Sequence, residues 1–155
     1  MELKIIQFPK RNLCVYGEGS RLYYSTVKFK WGKRRTIEIF DNENSKLFQI
    51  GYRGFFSETS EIISQHENLA QKIIFIDDSK IILENKSILE RKTSFFNLTR
   101  SKFTYFIDGQ KVGYSKVTNW VDAKKLQLHV EENGKELLDS LIILILICET
   151  ADPTE

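Results

Sequence analysis

The sequence predicts a single, mainly β domain built from successive antiparallel hairpins. Segments in which polar and apolar residues alternate, or in which aromatic and β-branched residues predominate, recur along the chain between short polar turns. The two prolines, Pro9 and Pro153, lie near the termini and interrupt none of these segments. At 155 residues the chain has the usual size of one domain, expected to span residues 1–155, with one sizeable core.

The first clear strand is predicted at residues 22–31, where apolar and basic side chains alternate with a period of two. One face carries Val27, Phe29 and Trp31, the other carries Lys28 and Lys30, and Gly32-Lys33 is the expected turn. Further strands are expected at 36–40, 47–56, 72–77, 81–85, 102–108, 111–117 and 126–131, with a weaker pattern at 87–93.

The turn chemistry supports these hairpins. Asp108-Gly109 stands between two β-rich segments, which is the strongest short-range hairpin signal. Similar polar sequences recur at 40–48, 107–112 and 132–137. They have two interpretations, an internal duplication or the residue types that every hairpin turn requires.

Two segments depart from the β pattern. Residues 57–71 offer Ser57 or Thr59 as an N-cap, followed by glutamates, and we expect a short helix or an ordered loop there. Residues 137–148 are apolar on every side after Asp139 and Ser140, so protein must surround them. Their isoleucines favour a strand, whereas Asp139 or Ser140 as an N-cap favours a helix, and propensity leaves both open.

Composition narrows the class of protein. Cys14 and Cys148 lie among apolar neighbours without a CxxC pair, and the N-terminal residues do not form a secretory signal, so a cytoplasmic location is expected. A net charge of +2 does not by itself indicate nucleic acid, which is not an expected partner. The apolar stretch 141–148 is too short to span a membrane, which needs about 20 residues.

No catalytic, metal or cofactor motif is found, and an enzyme is not expected. His66 and His129 belong to no ligand pair, and Gly17-Glu-Gly19 has the character of a turn. Asp77-Asp78 fits a four-residue turn better than a paired carboxylate site.

The chain resembles a known family in three places. Residues 137–152 hold a polar pair, an apolar run and an acidic end, supported by the hairpin 28–41 and the Asp-Gly-Gln-Lys-Val-Gly turn at 108–113. This pattern resembles the tubby C-terminal-like fold of tubby proteins, phospholipid scramblases and the LURP-one-related family, to which the chain length is nearest. The resemblance implies a closed antiparallel β-barrel of about 12 strands around a C-terminal hydrophobic helix. For the LURP-one-related group it implies no settled biochemical activity.

A barrel of that size needs a plug, because about 12 strands enclose more space than their own side chains fill. Residues 141–148 are the candidate plug.

One basic cluster is a candidate binding site. Lys28 and Lys30 share a face of the predicted strand, and three more cations follow at and after the turn, where arginine and lysine could hold phosphate. The tubby resemblance implies phosphoinositide head groups as the ligand. A solvated basic face that prevents strand aggregation explains the same residues. The predicted site consists of Lys28, Lys30, Lys33, Arg34 and Arg35.

The function expected from these observations is a non-enzymatic binding or scaffold domain for anionic phospholipid head groups or phosphorylated ligands. One alternative is a protein–protein adaptor with Phe55-Phe56 or Phe95-Phe96 as anchors. Another is a small-ligand carrier or enzyme with its site in the barrel mouth. The sequence leaves the oligomeric state open.

Overall fold

The computed structural model describes residues 1–8, 12–30, 34–53, 59–93, 102–119 and 123–151, with only the backbone of Arg34 and Ala151. These residues form twelve strands, a 3-10 helix at Glu132–Leu137 and the helix α1 at Leu138–Ala151. The strands are β1 (Glu2–Gln7), β2 (Leu13–Gly17), β3 (Ser20–Lys30), β4 (Arg34–Asp41), β5 (Lys46–Arg53), β6 (Thr59–Gln65), β7 (Ile73–Ile76), β8 (Lys80–Leu83), β9 (Ile88–Thr93), β10 (Lys102–Ile107), β11 (Gln110–Asn119) and β12 (Lys125–Val130).

All twelve strands belong to one antiparallel sheet that curls into a nearly closed barrel. Most strands pair with their neighbours in sequence, and β1 pairs with β12, for example through Leu3 opposite Leu128. The strand order in the sheet is therefore β6-β5-β4-β3-β2-β1-β12-β11-β10-β9-β8-β7. Within the described strands, β6 and β7 are the two edges, and they face each other.

Side chains bridge the seam between these two edge strands. The Gln65 amide binds both backbone groups of Ile73, with Nε2 donating to the carbonyl at 3.0 Å and Oε1 accepting from the N–H at 2.8 Å. The Ser60 hydroxyl donates to the Ile76 carbonyl at 3.3 Å. The Gln65 side chain thus takes the place of a strand backbone, which satisfies edge groups that would otherwise invite pairing.

The helix α1 fills the barrel. Every side chain from Ile142 to Ile147 is completely buried, and Leu141 and Cys148 are nearly so. The surrounding wall comes from alternate strand positions, such as Ile5 and Ile39, which are fully buried as well. The prediction of an enclosed apolar plug is confirmed, and its conformation is a helix rather than a strand. The described part of the chain holds no helix long and apolar enough to cross a membrane.

Polar contacts fix both ends of this helix. Near its start, the Tyr23 hydroxyl of β3 donates to the Asp139 carboxylate at 2.6 Å. Near its end, Glu149 forms ion pairs with Arg91 at 2.8 Å and with Lys124 at 2.5 Å. The expected N-cap at Asp139 or Ser140 is wrong: the 3-10 helix leads directly into α1, so Asp139 already lies in the first turn and is bound to Tyr23.

The hairpin predictions are largely confirmed, and two regions differ. Asp108 and Gly109 have φ values of +46° and +83°, the left-handed pair that the Asp-Gly signal predicts. Residues 59–65 form a strand, not the expected short helix or loop, because pairing with β5 outweighs weak local helix signals. The strands β1 and β2, before residue 22, were not predicted. Phe29 was expected on an apolar face, yet it is 64% exposed, because it lies near the end of β3, beyond the core-facing Val27.

Truncating the centre of the plug tests its role. We expect Leu144→Ala to lower the free energy of unfolding by about 2–5 kcal/mol, because a fully buried side chain leaves a cavity. The matched control Ile88→Ala, at a 40% exposed position, should cost less than about 1 kcal/mol. Urea denaturation measures both, and equal costs would contradict the assigned role of α1.

Removing the seam bridge tests how the barrel closes. Gln65→Ala should lower the free energy of unfolding by about 1–3 kcal/mol and speed hydrogen exchange at the Ile73 amide, which loses its acceptor. Gln49→Ala is the control, since its amide oxygen accepts from the side chains of Lys46 and Ser64. Unchanged Ile73 exchange would show that the bridge does not hold the edge strands together.

Candidate anion-binding surface

The hairpin β3–β4 distributes the predicted cations over two faces. Lys28 and Lys30 alternate with inward residues and lie on the outer face, where the register places them opposite Thr36 and Arg34. Arg35 has the parity of the core residue Ile37, so it belongs to the inner face. Lys33 and the side chain of Arg34 fall outside the described residues.

Lys28 is engaged in an ion pair on the outer face. Its Nζ lies 2.6 Å from one oxygen of Glu38, and Lys46 Nζ lies 2.6 Å from the other. The Glu38 side chain is only 6% exposed. Burial opposes ionisation of this carboxyl, but hydrogen bonds to the two ammonium groups prevail and hold its pKa below the usual range. Lys28 is therefore part of a structural cluster.

The other two described cations meet at a cleft that also contains a third. Lys30, Arg35 and Arg53 all line a cleft of about 390 Å3 at the ends of strands β3 to β6. The Arg35 guanidinium lies 4.6 Å from the centre of the Tyr52 ring, a cation–π contact that orients it. The remaining lining residues are Thr36, Gly51, Tyr52, Glu61, Ile62 and Ile63.

Gly51 forms part of the floor of this cleft. It lies between the inward residues Ile50 and Tyr52, so a side chain there would point outward into the cleft. A Cβ atom at this position would already lie 3.1 Å from Ile63 Cδ1. The missing side chain therefore helps to keep the space open.

Arg53 was missed by the sequence prediction because it lies far from the hairpin cluster in sequence. The register places Arg35 opposite Tyr52, which brings the end of β5 beside the end of the hairpin. Only the pairing of β4 with β5 shows that Arg53 lies near the other two cations.

The cleft belongs to an end of the barrel that is rich in cations. Because the strands alternate in direction, their termini sort onto two ends, and we call the one where α1 ends the basic end and the other the acidic end. Within the described residues, the basic end carries Lys28, Lys30, Arg35, Arg53, Lys80, Arg91, Lys92, Lys102, Lys116, Lys124 and Lys125, with Glu61, Asp77, Asp78, Glu90 and Glu149.

The acidic end has the opposite balance. Its described charges are Glu2, Glu18, Asp41, Glu43, Glu67, Glu84, Asp108, Glu131, Glu132, Glu136 and Asp139, with Arg21, Lys46, Lys72, Lys86, Lys111 and Lys135. Lys4 and Glu38 lie midway along their strands and are assigned to neither end. A net charge of +2 therefore conceals a strong separation of charge along the barrel.

Two cations of the basic end form ion pairs with a buried carboxylate of α1. Arg91 and Lys124 compensate Glu149, whose side chain is 1% exposed. Beside them, burial raises the pKa of the Cys148 thiol to about 12, and its Sγ donates to the Asp78 carbonyl at 3.1 Å. A thiol with such a pKa is a poor nucleophile at neutral pH.

A pocket at the acidic end forms the barrel mouth. It measures about 390 Å3 and is lined by Tyr23, Asp41, His66 and Asp139 among others. These four side chains take part in local bonds: Tyr23 donates to Asp139, Asp41 Oδ1 accepts from the N–H groups of the following turn, and His66 Nδ1 accepts from the Asn68 N–H. Burial, then Asp139, raises the pKa of Tyr23 well above its usual range.

The other candidate residues from the sequence analysis either form local contacts or lie outside the described residues. Asp77 Oδ1 accepts from the backbone N–H groups of Ser79 and Lys80, as the turn interpretation predicts. His129 contacts Glu2 and stacks on Tyr114 at the barrel surface. No group of three His, Cys, Asp or Glu side chains able to hold a metal occurs within the described ranges. Phe55-Phe56 and Phe95-Phe96, the proposed adaptor anchors, lie outside those ranges.

The Glu38 cluster has a pH dependence that can be measured. A carboxyl whose pKa is lowered by folding stabilises the folded state above its unfolded pKa of about 4.3, and this contribution is lost as the pH falls. We therefore expect Glu38→Gln to be less stable than the parent by on the order of 1 kcal/mol near neutral pH, and the gap to shrink as the pH falls below about 4.3. Urea denaturation across this range, with Glu84→Gln as the exposed control, checks this; a gap independent of pH would refute it.

Comparison with known proteins adds no further information about the site. No family model matches the chain, and neither a curated protein nor a solved structure matches it.

Proposed function

We propose that this chain is a non-enzymatic binding domain that docks its basic end onto anionic phospholipid head groups. The observation that carries this proposal is the concentration of cations at one end of a nearly neutral protein. We also propose that it belongs to the tubby C-terminal-like class, nearest to the LURP-one-related family. Twelve antiparallel strands around an apolar C-terminal helix support that assignment.

Electrostatics supply both attraction and orientation in this proposal. Each lysine or arginine close to an anionic bilayer contributes about 1 kcal/mol, and the attraction decays over a Debye length of about 8–10 Å. Cations on one end therefore contribute together, whereas the carboxylates of the acidic end lie beyond the reach of the surface. The barrel would approach the bilayer with its basic end, where α1 ends, facing the membrane.

The cleft is the proposed place for a phosphate group. Lys30 and Arg53 are exposed outer-face residues of its lining, and Arg35 reaches the lining from the inner face near the start of β4. The side chain of Arg35 is already oriented by Tyr52, so it would lose little freedom on binding. Arginine forks onto phosphate oxygens while lysine supplies a point charge. Of the residues first predicted, Lys30 and Arg35 keep this role, Lys28 is assigned to the Glu38 cluster, and Lys33 and Arg34 remain predicted ligands.

Vesicle co-sedimentation tests the proposal. We expect the parent protein to bind vesicles of phosphatidylcholine with phosphatidylserine or a phosphoinositide, and to be released by salt. Lys30→Glu/Arg53→Glu should weaken this binding by more than about tenfold, because two contributions of about 1 kcal/mol each become repulsive.

The control carries the same charge change at the acidic end. Lys72→Glu/Lys86→Glu alters two exposed lysines there and should bind nearly as the parent does. Equal weakening by both pairs would reduce the effect to net charge and contradict a basic docking end. If the parent protein does not bind anionic vesicles, the proposed function is wrong.

A further inference from the structure

Apolar side chains collect on the outer surface of the barrel at the β6–β7 seam. Ile63 of β6 is 52% exposed, and Ile74 and Phe75 of β7 are 58% and 44% exposed. These three residues lie between the two bridges that join the edge strands, the Ser60–Ile76 and Gln65–Ile73 hydrogen bonds. They form what we call the seam patch: Ile63, Ile74 and Phe75.

Core packing does not account for the seam patch. On β7 the inward positions are Ile73 and Ile76, both buried, and the irregular register with β8 turns the two residues between them outward. The patch also continues across the sheet, because Phe75 lies opposite Ile82, which lies opposite the exposed Ile88. Contiguous exposed apolar side chains of this kind are typical of interaction surfaces.

The seam patch adjoins the cationic cleft. Ile63 belongs to both, since it lines the cleft with Lys30 and Arg53 and lies over Gly51. On the other side of the patch, Lys80 Nζ lies 6.0 Å from the centre of the Phe75 ring. The apolar residues are thus flanked by cations on both sides.

We propose that the seam patch enters the boundary between head groups and acyl chains of the same anionic bilayer. This inference rests on the proposed function and adds an apolar contact to it. The cleft would hold lipid phosphate while Ile63, Ile74 and Phe75 enter the layer beneath, in the way that interfacial proteins combine basic and apolar contacts. The barrel would then lie tilted, with its seam toward the membrane.

The flanking charges favour a lipid surface over a second copy of the chain. A two-fold contact through the seam patch would bring Lys30, Arg53 and Lys80 of one copy close to the same cations of the other. An anionic bilayer offers negative charge around an apolar interior and has no such repulsion. An inserted peptide strand would first have to displace Gln65 from Ile73.

Replacement of the apolar side chains tests the inference. Ile74→Ser/Phe75→Ser should bind phosphatidylcholine–phosphatidylserine vesicles about tenfold more weakly than the parent, because less apolar surface is buried in the bilayer. Ile6→Ser/Tyr16→Ser is the control, on half-buried outward positions of β1 and β2 on the far side of the barrel. Its binding should be close to that of the parent.

Quenching of a reporter tryptophan gives a second readout that does not depend on the stability of the serine variant. Lipids brominated on their acyl chains should quench the fluorescence of the tryptophan introduced by Phe75→Trp. They should not quench the tryptophan introduced by Tyr24→Trp, which lies on the outer face near the acidic end. Trp31 and Trp120 contribute the same background to both variants.

The outcomes separate the two proposals. If the parent does not bind anionic vesicles, the proposed function fails and this inference fails with it. If the parent binds but Ile74→Ser/Phe75→Ser binds equally well and Phe75→Trp is not quenched, the basic end remains a docking site and the seam patch is refuted as its apolar part. A parent dimer that the serine pair dissociates, with vesicle binding unchanged, would assign the patch to self-association and overturn the inference.

Discussion

The burial of α1 inside the ring of strands is the constraint on which the rest of the structure depends. A twelve-stranded barrel is too wide for its wall side chains to meet, so its inner face would be solvated without a plug. A helix suits this place because it satisfies its own backbone groups, whereas a strand in the lumen would leave them without partners. The completely buried stretch from Ile142 to Ile147 supplies apolar contact in every direction.

Apolar contact is non-directional and specifies the position of α1 along the barrel axis only weakly, and polar contacts at its two ends help to fix that position. Asp139 is bound by Tyr23 at one end, and Glu149 is bound by Arg91 and Lys124 at the other. Buried ion pairs contribute little net stability, but an unpaired buried charge is costly, so any shift that separates Glu149 from its partners is disfavoured. The same contact draws two cations to the end where α1 stops.

Local chemistry explains which parts of this fold could be predicted from sequence. The Asp108-Gly109 hairpin follows from dihedral preferences, and enclosure of residues 141–148 follows from their uniform apolarity. The strand β6 could not be predicted in this way, because it is an edge strand whose side chains are mostly exposed and its conformation comes from pairing with β5. The site depended on register too: Arg53 joins Lys30 and Arg35 only because Tyr52 lies opposite Arg35.

Barrel closure does not require the charge separation, and the ligand proposed above would give a reason for it. Like charges gathered at one end repel each other and destabilise a compact protein. Glu149 offsets that repulsion for Arg91 and Lys124, and Glu38, midway along β4, does so for Lys28. Lys30 and Arg53, by contrast, are exposed at strand ends around an open cleft with the carboxylate of Glu61 in its lining. In the proposed function a bound anion would offset their repulsion, and the adjacent seam patch is why we propose an anionic surface with an apolar layer beneath it as the source of that anion.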